Sequence, residues 1–499
     1  MIRTFIAAAI LALGLLGSAM AEDGDRPNIL WLVIDDMGAD FSCYGKKVVE
    51  TPHIDRLARE GTRFTNAFLT APVCSTARSS MITGMYQTSI GAHNHLSGRG
   101  KHRIALPGKV LPVPVLFGKA GYVCSNENYP TQGGKPGKAD YNFDWDKAMY
   151  DGPGFPKSRD GKPFFAQLQL HGGKYRGGLL KSKWRSEEAP KALGTLTDPE
   201  KVVLPPYYPR DPVILQDWAN YLDTVRYTDR EVGEIMATLE KEGTLDETII
   251  ILFGDNGISH ARGKQFVYDE GIYTPLIIRG PGIAAGKVRE DLIEHIDLAA
   301  TSLALAGAAV PEWMQGDDIL AEDYKAKDAV FAARDRCGET VDMIRAVRTK
   351  RHKYIRNFFP DRPLLQPTNY KDTKDILIRL RELHQAGTLN AVQERLLFSP
   401  RRSAEELYDI EADPHEMVNL AGDPKHAELL GAMRARLGKW MKESKDPGPE
   451  SPELYAIEME FQISKNRRDP KVFKKVKENV ELMTRWQKER PYRPEVIGD

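Results

Sequence analysis

Cysteine is scarce in this chain: 4 residues among 499, at positions 43, 74, 124 and 337. They lie far apart and show no metal-ligand spacing, which argues against a disulfide-built scaffold and a cysteine-held zinc ion. Net charge is missing too, with 70 basic side chains against 70 acidic ones. No global field draws in nucleic acid or a membrane surface, so an anionic ligand must be held locally. Long apolar runs are also lacking. The stretch from Phe5 to Leu16 is too short for a comfortable membrane span, and no later stretch is long and apolar enough. The sequence therefore predicts no nucleic-acid partner and no membrane span.

What is present is an ordinary globular composition, 41% hydrophobic and 28% charged, at a length that predicts two or more structural units. The N-terminus, "MIRTFIAAAILALGLLGSAMAEDGD", has one arginine, an apolar run and Ala19-Met20-Ala21 before acidic residues. That is the pattern of a cleavable export signal over residues 1–21. No cysteine follows the run to carry a lipid anchor. The mature chain is thus expected to be periplasmic or secreted, where thiols oxidise. With Cys74 reserved for chemistry, at most one disulfide is expected.

Strands alternate with helices. "PNILWLVIDDMGAD" reads as a buried strand, Ile29 to Ile34, ending in Asp35 and Asp36. "TPHIDRLAREG" reads as a helix with Thr51 at its N-cap, Pro52 in its first position and Gly61 at its end. Helical periodicity runs from about Trp218 to Glu242, and "ETIIILFGDNGISH" gives a second buried strand that ends in Asp255 and Asn256. This alternation predicts an α/β fold with a mostly parallel sheet covered on both faces, whose ligands collect at the carboxyl ends of strands. Both acidic clusters fall at such ends.

Singly, an Asp-Asp pair is a common turn or cap, Asp-Asn-Gly a common turn, and a lone cysteine a common buried residue. Together they place hard oxygen ligands on two strand ends beside a modifiable side chain. That set suits calcium, or magnesium second, better than zinc.

Cys74-Ser75-Thr76-Ala77-Arg78, followed by "SSMITG", resembles the signature of the type I sulfatases, in which a cysteine is oxidised during export to formylglycine. The similarity continues through "DDMG", "GKADYNF", "FGDNG", "GKQFVYDEGIYTPLIIRGPG", "HIDLAATSLALAG" and "ELYDIEADPHEMVNLAGDP", from about Pro27 to Pro447. "VVLPPYYPRDP" and the "DPHEMVNLAGDP" tail lie nearest the sulfamidase branch and its bacterial polysaccharide-sulfatase relatives. The resemblance implies an alkaline-phosphatase-like fold and a sulfuric ester hydrolase acting on a sulfated carbohydrate. Its implied maturation partner is a formylglycine-generating or anaerobic sulfatase-maturating enzyme. Its implied divisions are a catalytic domain over 22–330, a smaller α+β subdomain over 331–445 and an extension over 446–499.

Residue by residue, the resemblance implies that Asp35, Asp36, Asp255, Asn256 and the modified Cys74 hold calcium. Arg78, one helical turn beyond Cys74, stabilises the modified side chain, and Lys138 and Lys264 hold the sulfate oxygens. The hydrated aldehyde supplies the attacking oxygen, and an acid protonates the leaving sugar oxygen or nitrogen.

Three positions depart from the family pattern. Thr76 stands where the modifying enzyme commonly reads proline or alanine. Asp140 stands where the family has a histidine, two residues after Lys138. In "PFFAQLQLHGGKYRG" His171 matches the first histidine of the family's His-x-Pro-His, and Lys174 falls where the catalytic one belongs. The acid is therefore Lys174 with a depressed pKa, His171, or, behind these, His93 or His95 of "GAHNH". His93 and His95 also stand as candidate substrate contacts with Arg334, Arg336 and Glu339. The last three, with Asp335, are expected at a strand-to-loop exit near the pocket. "HLSGRGKHRIALPG" reads as a basic, flexible stretch, and the extension as packing on the body or on a partner subunit. A phosphonate or phosphodiester hydrolase of the same superfamily, or an inactive glycan-binding homologue, are the alternatives.

Overall fold

The structure is a computed structural model that describes residues 26–130, 135–153, 161–176 and 183–494. Residues 1–21, read above as an export signal, lie outside the described residues. The first sheet is built from β1 (Asn28–Ile34), β2 (Thr62–Phe68), β3 (Val123–Tyr129), β4 (Phe164–Leu170), β5 (Thr248–Gly254), β6 (Leu276–Arg279) and β7 (Lys287–Glu294). Their order is β3-β4-β1-β5-β6-β2-β7, and only β6 runs antiparallel to its neighbours. β1, β4 and β5 are buried at every position, as near-continuous apolar runs in a sheet covered on both faces must be.

Apolar layers lie on both faces. On one face the 30-residue helix Pro212–Lys241 packs Ile214, Val225, Val232, Ile235 and Leu239 with Leu30, Leu32 and Ile34. It begins six residues before the apolar periodicity does, because Asp211 caps the Val213 N–H and Pro212 occupies the first turn. The short helix Pro52–Glu60 starts and stops where Pro52 and Gly61 predict. On the other face Trp31 sits edge-on to Phe165 and Phe253, and Phe165 stacks on Phe117. The Trp31 indole donates to Ser302 Oγ at 2.9 Å.

A second, antiparallel sheet has the order β11-β10-β9-β8, with β8 at Val330–Arg334, β9 at Ile344–Arg348, β10 at His352–Asn357 and β11 at Glu405–Asp409. Helix Ala427–Glu443 covers it through Leu430, Met433, Leu437 and Trp440. Two further helices, Pro452–Lys465 and Pro470–Glu489, bring Tyr455, Met459, Met483 and Trp486 against Val341, Met343, Phe358 and Phe359. The C-terminal extension therefore packs on the body of its own chain. All four cysteines are free thiols. No described helix is long and apolar enough to cross a membrane.

Trp31→Ala is expected to lower the unfolding free energy by about 3–5 kcal/mol, because the site cannot collapse between two strands. Ser302→Ala, which leaves the indole N–H without its partner, is expected to cost about 1–3 kcal/mol. Denaturant unfolding measures both, and a loss below about 1 kcal/mol for Trp31→Ala would contradict the packing described.

Candidate active site

The register of three strands assembles the site. Ile34 of β1 is level with Leu170 of β4 on one side and with Gly254 of β5 on the other. The segments Asp35–Asp36, His171–Lys174 and Asp255–Asn256 therefore leave the sheet together. Asp35, Asp36 and Asp255 are all buried, with one oxygen of each within 4.8 Å of the others. Asn256 Nδ2 donates to Asp36 Oδ1 at 2.9 Å, and the Asp36 N–H donates to Asp255 Oδ1 at 3.3 Å. Asp36 takes φ 54°, as do Asp140 at 58° and Gln265 at 80°, so backbone strain gathers beside Asp35, Lys138 and Lys264.

Cys74 opens the helix Cys74–Met81, whose eight residues are all buried. Short hydroxyls tie this helix to its neighbours. Ser75 Oγ accepts from the Leu96 N–H at 3.0 Å, and Ser79 Oγ accepts from the Asn142 N–H at 2.9 Å. Thr76, the departure from the family signature, donates its hydroxyl to the Val73 carbonyl at 2.9 Å. It sits in the first turn, where backbone N–H groups have no partner within the helix, so neither threonine nor proline disturbs the backbone there. Arg78 follows one turn later on the same side. Its Nε donates to Asp255 Oδ2 at 2.8 Å, and its Nη1 donates to Gln169 Oε1 at 2.5 Å and to the Lys138 carbonyl at 3.2 Å.

Three lysines close on the carboxylates. Lys138 and Lys174 donate to Asp35 Oδ2 at 2.7 and 2.6 Å, and Lys264 donates to Asp36 Oδ1. Burial raises the Asp35 pKa, but Lys138, Lys174 and Arg78 outweigh it and hold the carboxyl well below the usual range. Burial likewise works against the Lys174 ammonium, yet Asp35 and Cys74 hold its pKa well above the ordinary lysine value. The depressed pKa expected of Lys174 is therefore not found, because its nearest charge is a carboxylate. The two glycines before it explain how it reaches that carboxylate. A Cβ on Gly172 would lie 2.3 Å from the Asp35 carbonyl oxygen, and one on Gly173 2.2 Å from that of Asp36. Only glycines let the loop lie flat on the aspartate backbone, where the Gly173 N–H donates to the Asp35 carbonyl at 2.9 Å.

These residues fit a hard divalent cation. Asp35 Oδ1 and Asn256 Oδ1 are buried and have no hydrogen-bond partner among the described residues, although buried polar oxygens are normally satisfied. The local donor set is oxygen from carboxylates and an amide, the set that calcium and magnesium take. Four cationic side chains face three carboxylates, and a divalent ion would add to that excess of positive charge, which suits an anionic substrate.

Comparison with known proteins gives the same reading. The sulfatase family model matches residues 27–308, more than half of the chain. The chain belongs to the sulfatase family. A second model, for the C-terminal region of N-sulphoglucosamine sulphohydrolase, matches residues 260–367 of this sulfatase. The chain is 33% identical over 459 residues to an ulvan-active sulfatase of Formosa agariphila, covering 84% of this chain and 75% of the relative. It is 29% identical over 470 residues to the N-sulphoglucosamine sulphohydrolase of Homo sapiens, covering 85% of this chain and 91% of the relative. A solved structure in complex with its substrate D-glucosamine-2-N,6-O-disulfate shares the fold, with a TM-score of 0.56, 21% identity and coverage of 85% of this chain and 99% of that one. The chain is a sulfuric ester hydrolase with an alkaline-phosphatase-like fold.

Other predicted positions of the sulfatase fall elsewhere than expected. Arg334 ends β8, as a strand exit should, but its guanidinium is buried and bonds Asp342 at 2.9 Å. Asp335 pairs with Arg345 at 2.9 Å. Arg336 bonds Glu450 at 2.7 Å, and Glu339 accepts from Asn479 Nδ2 at 2.6 Å. These charges are spent inside the protein, so the picture of an open loop presenting them to sugar is corrected. The stretch read as basic and flexible is pinned likewise, with Arg99 on Asp140 at 2.5 Å and Lys101 on Glu460 at 2.6 Å. His171 is half-buried, and its Nδ1 lies 3.1 Å from the Tyr129 carbonyl. His93 lies by Arg345 and Asp446, whereas His95 places Nε2 3.8 Å from Cys74 Sγ. Two site residues escaped the sequence reading. Gln169 holds Arg78, and its signal was a polar residue inside the buried run "FFAQLQL". Tyr370 donates to Asp36 Oδ2 at 2.7 Å from a loop with no recognisable pattern.

Gly173→Ala is expected to destabilise the protein by about 1–3 kcal/mol and to displace Lys174, because the methyl group meets backbone. Arg78→Lys keeps the charge but loses the fork to Asp255 and Gln169. It is expected to reduce kcat at least about 100-fold with near-normal unfolding, and unchanged kcat would contradict the arrangement.

Proposed function

We propose that this sulfatase is an exported enzyme that removes sulfate, as an ester or N-sulfate, from a sulfated polysaccharide or its fragments. Its modified residue is formylglycine made from Cys74, and its ion is calcium held by Asp35, Asp36, Asp255 and Asn256. The observation that carries this is the convergence of Arg78 and three lysines on one buried carboxylate cluster at two adjacent strand ends, with Cys74 close enough to act electrostatically on Arg78, Lys174 and Lys264. The names of the two relatives support sulfated saccharides as the substrate class. Oxygen donors without thiolate or imidazole favour calcium or magnesium, and a loop-built, mixed set of carboxylates and an amide favours calcium.

In this reading formylglycine at residue 74 would supply a hydrated aldehyde oxygen as nucleophile, and a cation held by Asp35, Asp36, Asp255 and Asn256 would favour the ionised form of that oxygen. The chain's own residues do the rest. Arg78 is fixed by Asp255 and Gln169, and so presents a rigid positive fork beside residue 74. Lys138 and Lys264 balance the sulfate oxygens. Lys174 joins them as a third cation, since it bonds Asp35 in the same way as Lys138. His171 then remains to protonate the leaving group: with Nδ1–H donated to the Tyr129 carbonyl, its Nε2 is free to carry that proton.

Protein co-expressed with a formylglycine-generating enzyme and recovered from the periplasm is expected to show an aldehyde at residue 74 by peptide mass. It is expected to hydrolyse 4-nitrophenyl sulfate faster than a nitrophenyl phosphonate ester. A retained thiol, or preference for the phosphonate, would overturn the proposal. Chelation should abolish turnover and calcium restore it, and Asp255→Ala should lose at least about 100-fold in kcat. Lys174→Ala is expected to slow an aryl sulfate and a sugar sulfate by similar factors. His171→Ala should slow the sugar sulfate at least about 10-fold more than the aryl sulfate, whose good leaving group needs no proton. The reverse pattern would return the acid to Lys174.

A further inference from the structure

The extension beyond residue 446 reaches the site through a short chain of contacts. His95 Nε2 lies 3.8 Å from Cys74 Sγ. The other ring nitrogen, Nδ1, accepts the Gly338 N–H at 3.2 Å. A nitrogen that accepts from a backbone N–H carries no proton, so the ring is neutral and its one proton sits on Nε2, facing residue 74. This loop supplies a histidine beside residue 74, whereas position 140, where the family carries one, holds Asp140 committed to Arg99.

Arg336 holds that histidine in place. The His95 N–H donates to the Arg336 carbonyl at 2.9 Å, and Arg336 Nη1 donates back to the His95 carbonyl at 3.1 Å and to the Gly338 carbonyl at 2.9 Å. One guanidinium thus sets both the histidine and the N–H that fixes its tautomer. Arg336 is in turn held by the extension: its Nε donates to Glu450 at 2.7 Å, and Glu458 lies 3.8 Å from Nη2. The three side chains are 0%, 2% and 1% exposed, so this is an interior contact. A second arm runs parallel to it. Asn479 of the last helix donates to Glu339, which accepts the Asn369 N–H at 2.5 Å, next to the Tyr370 that bonds Asp36.

We infer that His95 is a hydrogen-bond donor to the reacting side chain at position 74, and that Arg336, braced by Glu450 of the C-terminal extension, is the residue that positions it. This rests on the sulfatase reading above. The extension lies beyond both matched family segments, which end at residues 308 and 367. It is thereby a working part of the site as well as a packing element against Val341, Met343, Phe358 and Phe359 beside the second sheet.

The test is a double-mutant cycle on the full-length, matured enzyme with 4-nitrophenyl sulfate, each variant checked for equal conversion of residue 74 by peptide mass. His95→Ala is expected to lower kcat about 100-fold with KM within about 3-fold, and His95→Gln, which keeps an N–H donor, to recover part of that loss. Glu450→Gln and Arg336→Lys are expected to lower kcat at least about 10-fold in the wild-type background and by less than about 2-fold in His95→Ala. Equal losses in both backgrounds would mean that the extension acts independently of His95 and would overturn the inference, as would wild-type kcat in His95→Ala. Should Glu450→Gln fail to accumulate folded, Glu458→Gln is read in the same cycle against the same two outcomes. A wild type without sulfatase turnover would instead sink the functional reading.

Discussion

Burial of three carboxylates at the mouth of a parallel sheet is the constraint on which this structure depends. Asp35, Asp36 and Asp255 are 3%, 1% and 0% exposed, and ionised carboxylates this deep must be compensated. The compensation comes from four elements remote in sequence: Arg78 on a helix, Lys138 after β3, Lys174 after β4 and Lys264 after β5. Each cation has to arrive from its own direction. The loops that bring them show the cost as glycines pressed on backbone at 172 and 173 and as left-handed residues at 36, 140 and 265.

The same arrangement explains why the chemistry sits where it does. A cation that left this cluster would strand a buried carboxylate, so the four cations are held in place without substrate. A sulfate bound there, as proposed, would meet positive groups that are already oriented, which is the condition under which electrostatic stabilisation is strongest. The helix that starts at Cys74 adds backbone N–H groups to that field, and its buried hydroxyls leave residue 74 little freedom to turn away.

Much of this was legible in the sequence. A buried strand that ends abruptly in carboxylates can be read directly, because apolar runs and their polar stops are local properties. Asp35, Asp36, Asp255 and Asn256 were placed that way, whereas Lys138 and Lys264 came from the resemblance to the sulfatase motifs around them. Arg334, Arg336 and Glu339 were misread because a charged triplet looks the same whether it meets water or a buried partner. Glu450, the partner of Arg336, lies 114 positions away, and Asn479, the partner of Glu339, lies 140 positions away. The choice among Lys174, His171, His93 and His95 was likewise out of reach, since the tautomer of His95 is set by an N–H 243 positions along the chain and the charge that meets Lys174 lies 139 positions away.

The long-range pair between Arg336 and Glu450 raises the question of why a charge pair stands there at all. Desolvation makes a buried ion pair a poor source of net stability, and apolar side chains of equal volume would hold the extension at least as well. They could not supply directed donors. A guanidinium offers five N–H groups in a rigid plane, and here one edge meets Glu450 while Nη1 reaches the carbonyls of His95 and Gly338. The carboxylate fixes the plane of the arginine, and the arginine fixes the two backbone segments that decide where the imidazole proton lies. The pair is therefore better understood through the geometry it enforces beside residue 74 than through any stability it adds to the fold.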